Sequence, residues 1–193
     1  MRMVANLNPL RIIGRKDFFM AKLSREAMKH YIDTTFNKKV ADAGKATFEI
    51  LGTDIEEMSV ELNSDVSQVK NILGQTKTVD NGYSPSMDAD PFYADPESAL
   101  YPKLRDIAME RLKGDDCKTL MLEVIVEDME AVTHTAYVRE VMVKPTSYGG
   151  GTEGFNIPFN VSEDGAWVKG TVTAESVLAG SPVFTAKDAA LSE

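Results

Sequence analysis

Residues 119–128, Thr-Leu-Met-Leu-Glu-Val-Ile-Val-Glu-Asp, constrain the fold more than any other stretch of the chain. Leu120, Leu122, Val124 and Val126 recur at every second position, so they share one face of an extended strand. Met121, Glu123, Ile125 and Glu127 share the other, a mixed face that a helix or a partner would half-cover. Residues 135–144 read as a second strand, ended by Pro145. Beyond a flexible loop at 148–154, residues 155–161 and 166–173 read as a hairpin turning at Ser162-Glu-Asp-Gly165. Residues 47–51 give an earlier strand with Phe48 and Ile50 on one face, closed by Gly52. Only one long segment has helical period. From about residue 96 or 98 to 113, Leu100, Leu104, Ile107, Ala108 and Leu112 form a stripe, Asp95 or Ser98 can cap the start, and Gly114 suits a left-handed end. The fold class that follows is mainly β (α+β), a β-sandwich or barrel with one flanking α-helix.

Residues 54–91 are unlike the rest. Met58, Val60 and Leu62 alternate with Glu57, Ser59 and Glu61, which predicts a strand with one acidic face. Residues 66–80 continue as a long second strand interrupted at Gly74, where a one-residue bulge would invert the far half. Residues 81–96 carry Pro85, Pro91 and Pro96 and read as a protruding loop. An acid-faced strand, a long neighbour and a protrusion describe a surface made for contact.

Residues 24–33 read as a short helix or turn, with Ser24 as cap and Met28, Tyr31 and Ile32 as its stripe. With the polar segment 33–44 they look too weakly apolar to enter the core. The last residues, from 174 on, show little periodicity and read as an arm. The expected organisation is an N-terminal extension at 1–21, a β domain at 22–175 and a C-terminal arm at 176–193. Met20-Ala-Lys-Leu also resembles a translation start.

At 193 residues a single core suffices. The net charge is −9, yet residues 1–19 carry +3, so the remainder carries −12. An acidic body has few cations with which to release counterions from nucleic acid, but it suits a wall that nucleic acid passes without adhering. No apolar run approaches a membrane span. The single Cys117 can form no internal disulfide, and that fits a reducing compartment.

Chemistry is hard to find. His30 and His134 stand far apart without Cys or His company, and both read as surface or hydrogen-bonded residues. Asp88 and Asp90 supply too few oxygens for calcium. The glycines of 148–154 lack the Gly-Lys-Ser/Thr of a P-loop. Cys117, after Asp115 and Asp116, reads as an inert thiol. Glu57 with Glu61 and Glu123 with Glu127 lie ~13 Å apart along a strand, too far for a glycosidase dyad. No catalytic, cofactor or metal residues are expected.

Several blocks together resemble a known family: Glu56-Glu-Met-Ser-Val-Glu-Leu-Asn-Ser-Asp-Val, Asn71-Ile-Leu-Gly, Asp80-Asn-Gly-Tyr-Ser-Pro-Ser-Met, Asp90-Pro-Phe-Tyr-Ala, Leu100-Tyr-Pro-Lys-Leu-Arg-Asp-Ile-Ala-Met, Gly114-Asp-Asp-Cys-Lys-Thr and Val143-Lys-Pro-Thr-Ser-Tyr-Gly-Gly. They are similar, in this order, to the major tail (tail tube) proteins of siphophages infecting Firmicutes, over roughly residues 22–175. The resemblance implies a non-enzymatic virion protein of the tail, present in the host cytoplasm during assembly. It implies hexameric rings stacked into a tube that conducts viral DNA. Other partners would be the tape-measure protein, the tail terminator and distal tail or baseplate proteins, with no membrane. The strands at 56–62 and 66–80 would join an inter-subunit barrel, with Glu57 and Glu61 facing the lumen. Tyr83, Pro85, Met87, Phe92 and Tyr93 would be inter-ring contacts, with the N-terminal and C-terminal arms. The alternative reading is a monomeric β-sandwich binding module for host-surface carbohydrate or a receptor. Such modules expose an aromatic platform, and Trp167 has no evident aromatic partner in the sequence.

Overall fold

The computed structural model describes residues 22–36, 39–53, 55 and 57–187, so the expected extension at 1–21 and the final six residues lie outside it. Within that range the strands are β1 (Met28–Asp33), β2 (Phe48–Ile50), β3 (Val60–Glu61), β4 (Ser64–Lys70), β5 (Thr76–Tyr83) and β6 (Ser86–Ala89). After helix α1 (Leu100–Glu110) come β7 (Lys118–Ile125), β8 (Thr133–Pro145), β9 (Gly149–Gly151), β10 (Gly154–Asn156) and β11 (Phe159–Thr173). Helix α2 (Ala174–Leu178) and β12 (Phe184–Ala186) complete the order.

Among the described residues, eight strands form one antiparallel sheet in the order β2-β1-β7-β8-β11-β6-β3, with β12 added on β11. The sheet is curled, and both of its faces are covered. Met121, Val141, Val143, Phe159 and Val161 meet α1 through Leu100, Leu104, Ile107 and Ala108. Each of these side chains other than Ala108 contributes about 1.5–3 kcal/mol on burial. Leu120, Leu122, Val124, Val138 and Val168 point the other way, into a second cluster closed by Val177 of α2 and Phe184 of β12. The architecture is thus the mainly β fold with one flanking helix that the sequence leads one to expect.

The helix start follows the capping logic. Ser98 Oγ accepts from the amides of Leu100 and Tyr101, and Glu49 Oε2 accepts from Ala99 and Leu100. Four otherwise unpaired donors are what a helix start must satisfy. The helix ends earlier than expected, at Arg111, which takes the left-handed conformation itself (φ 57°).

Four expectations are corrected. Residues 28–33 are not helical: β1 lies between β2 and β7, and Tyr31 and Ile32 are fully buried on opposite faces, one in each core cluster. A strand buried on both sides does not alternate in polarity, so its apolar residues imitated a helical stripe. Residues 155–173 are not a hairpin. β11 pairs with β8 on both sides of Glu163 to Trp167, and across that interval it advances four residues while β8 moves only from Val141 to Arg139. The turn-like Ser-Glu-Asp-Gly is absorbed as a bulge, with Gly165 at φ 95°. The glycine-rich loop forms the small hairpin β9–β10. The segment read as a C-terminal arm contributes α2 and β12, and Phe184 is buried.

Candidate functional site

The 66–80 stretch is two strands, not one. β4 and β5 form a hairpin and a sheet of their own, from Val66↔Asp80 to Lys70↔Thr76, joined to no other strand among the described residues. Gly74 sits in its turn (φ 80°) and not in a bulge. The irregularity lies at the base, between Ser64 and Val66. Asn63, at φ 47°, turns the chain out of β3, and its Nδ2 donates to Glu61 O, Ser84 O and Ser86 Oγ. Asparagine tolerates this left-handed geometry and satisfies the carbonyls it exposes. Asn81 Nδ2 reaches Asp65 Oδ2 across the bulge at 3.2 Å.

The tip is built with equal care. Asn71 Oδ1 accepts from the amides of Leu73 and Gln75 at 3.0 and 2.9 Å, and its Nδ2 donates to Gln75 Oε1 at 2.9 Å. The turn so fixed presents Ile72 fully to solvent and Leu73 at 78% exposure. Val66, Val69 and Tyr83 along the arms are more than half exposed. A lone two-stranded hairpin is marginal in water because neither face covers apolar surface. This one protrudes with both faces bare.

Of the candidate lumen residues, Glu57 and Glu61 are both exposed, whereas Met58 on the opposite face is buried. Val60 is half-buried and Leu62 is exposed, since the chain leaves the sheet there. The proposed inter-ring residues divide. Tyr83 is exposed at the hairpin base and Pro85 is half-buried. Met87 is 1% exposed on β6, between β3 and β11, so it serves its own core and can contact no neighbour. Phe92 packs edge-on to Phe159 at 5.5 Å, and Tyr93 donates to Glu153 at 3.1 Å and bridges to Asn156. The 81–96 segment is therefore tied to the body through β6. The protrusion precedes it.

Of the remaining titratable groups, His30, Glu123, Arg139 and Glu163 lie together on neighbouring strands of the sheet. His30, read as a surface or hydrogen-bonded residue, is buried with no hydrogen-bond partner for its Nδ1, and Glu123 is buried beside it. Glu123 Oε2 accepts from Arg139 Nε at 2.8 Å, Arg139 Nη1 reaches Glu163 at 3.3 Å, and His30 Nδ1 lies 3.6 Å from Glu123 Oε1, beyond hydrogen-bond length. Burial holds the His30 imidazole below its ordinary value; Glu123 opposes that shift and Arg25 adds to it. Glu127 is exposed, so the two glutamates of that strand share no environment. His134 is buried as well, and the buried thiol of Cys117 donates to Leu112 O beside Lys144.

Trp167 does have an aromatic partner. Tyr137, on the neighbouring strand, lies 6.2 Å away, with Arg139 over the Trp167 ring and Lys169 over the Tyr137 ring. Trp167 and Arg139 line a cleft of about 610 Å³ together with Leu62, Tyr83, Pro85 and Glu163. The sequence hid this pair because residues 166–173 read as folding back on 155–161, whereas past the bulge they pair in regular register with β8. Among the described residues no helix is long and apolar enough to cross a membrane. The sequence matches no protein-family model and no curated protein.

Proposed function

We propose that this chain is a structural subunit that assembles with copies of itself into stacked rings, forming the tail tube of a siphophage through which DNA passes. The observation that carries this reading is the β4–β5 hairpin: a hydrogen-bonded element that joins no other sheet among the described residues. Neighbouring copies would cover its faces. The curled sheet ends at β2 and β3, whose outer edges offer further pairing. Glu57 and Glu61, both exposed in the run that leads into the hairpin, supply negative charge that would repel phosphate from an inner wall. A tape-measure protein and the terminating and distal tail proteins would complete the assembly.

The test is size-exclusion chromatography with negative-stain microscopy over a concentration series. Rings or tubes support the proposal, and a chain in which residues 66–79 are replaced by Asn-Gly should remain folded and monomeric. A second reading has its own observation. The Tyr137–Trp167 pair beside a cleft suits a monomeric module that recognises host-surface carbohydrate or a receptor. A persistent monomer that binds glycans, and loses binding in Trp167→Ala, would favour it.

A further inference from the structure

Among the described residues two apolar features lack partners, and their shapes are opposite. One is the fixed turn at the hairpin tip, with Ile72 and Leu73 projecting from it. The other is a groove of about 380 Å³ at the far end of the sheet, where β7, the entry to β1 and α2 converge. Its lining includes Leu23, Ala27, Val126, Met129, Val177 and Leu178, and Leu23, Met129 and Leu178 are 60%, 79% and 83% exposed. Resting on the tube-subunit reading above, we propose that the Ile72–Leu73 tip of one copy seats in this groove on another copy.

Charge favours the pairing. Lys70 and Lys77 flank the tip on the last rungs of the hairpin. The groove is bordered by Glu26 and Glu127, with Asp128 and Glu130 exposed next in the chain, against Lys22 and Lys29. Basic flanks thus meet an acidic rim. Within one chain the tip and the groove do not meet, because both stay open to solvent in the same fold. The contact joins unlike surfaces, so between copies in successive rings it leaves a free tip and a free groove at the two ends of the stack, whereas within one ring it would close on itself. A stack of rings requires that property and a closed dimer lacks it. The Asn71 hydrogen bonds hold the tip in its seating geometry before contact, which lowers the ordering cost of docking.

The test uses the full chain with Leu178→p-benzoylphenylalanine, assembled from equal parts of ¹⁵N-labelled and unlabelled protein and then irradiated. Trypsin releases residues 71–77 as one peptide. The proposal predicts a cross-link to that peptide with mixed isotopes, hence between copies. Assemblies that give no such link, or a link to residues 1–21 in the groove, would overturn the docking site and leave the tube reading standing. Failure to form any assembly, with or without the substitution, would overturn the tube reading and the docking site with it. Met129→Glu with Leu178→Glu, both at exposed positions, should keep the melting temperature. They should also raise the concentration needed for assembly at least about tenfold. An unchanged threshold would count against the groove.

Discussion

At the scale of single residues the sharpest energetic commitments surround Glu123. Its carboxylate is buried, and Arg139 is the cation that compensates it. Removing one member of such a pair leaves an uncompensated charge, so Arg139→Met should destabilise the fold by on the order of 3 kcal/mol in urea titration. Adding Glu123→Leu should recover most of that loss, because an apolar pair of similar volume avoids the desolvation cost. His30 makes a separate prediction. Its native pKa is depressed, chiefly by burial. The unfolded histidine therefore takes up a proton near pH 6.5 that the native one refuses. This contribution to stability is complete above that pH and is lost as pH falls toward the native value. The melting temperature should drop between about pH 7.5 and 5.5, above the ordinary carboxylate range, and His30→Asn should flatten the drop.

Among the elements, β12 shows how tightly the sheet closes. A Cβ on Gly170 would lie 2.2 Å from Thr185 O and 2.5 Å from the Phe184 ring. Gly170→Ala must displace β12, at a cost of about 1–3 kcal/mol by denaturant unfolding; an unchanged midpoint would refute the close approach. That constraint was invisible in the sequence, since the partner backbone comes from a segment without periodicity. Elements with one polar face could be read directly: α1 by its stripe, and β8 and the first half of β11 by alternation. β1 could not, because a core cluster covers each of its faces and removes the polarity signal. The hairpin was misjudged for a related reason. Turn formers mark both its true turn at Asn71–Gly74 and the proline-rich stretch after it, and only tertiary pairing through β6 shows that the second is held down. The acidic candidates Glu57 and Glu61 were legible because exposure follows alternation. Met87 was not, since its burial depends on β11, more than seventy residues away in the chain.

For the whole molecule, the proposed assembly must complete what one chain leaves bare. If Glu57 and Glu61 line a tube, as proposed, their charge is separable from assembly: Glu57→Lys with Glu61→Lys should give tails of normal appearance whose genome ejection is impaired. Normal ejection would remove these residues from the wall. The central claim, that β4–β5 finds its partners only in other copies, is tested most directly by hydrogen exchange on peptides spanning residues 64–83, at low and high protein concentration. A hairpin without a covering surface opens readily, so its amides should exchange fast in the dilute chain, while those of β7 and β8 stay protected. In concentrated, assembled protein the same amides should become protected to the level of the central strands. Equal protection at both concentrations would contradict the account.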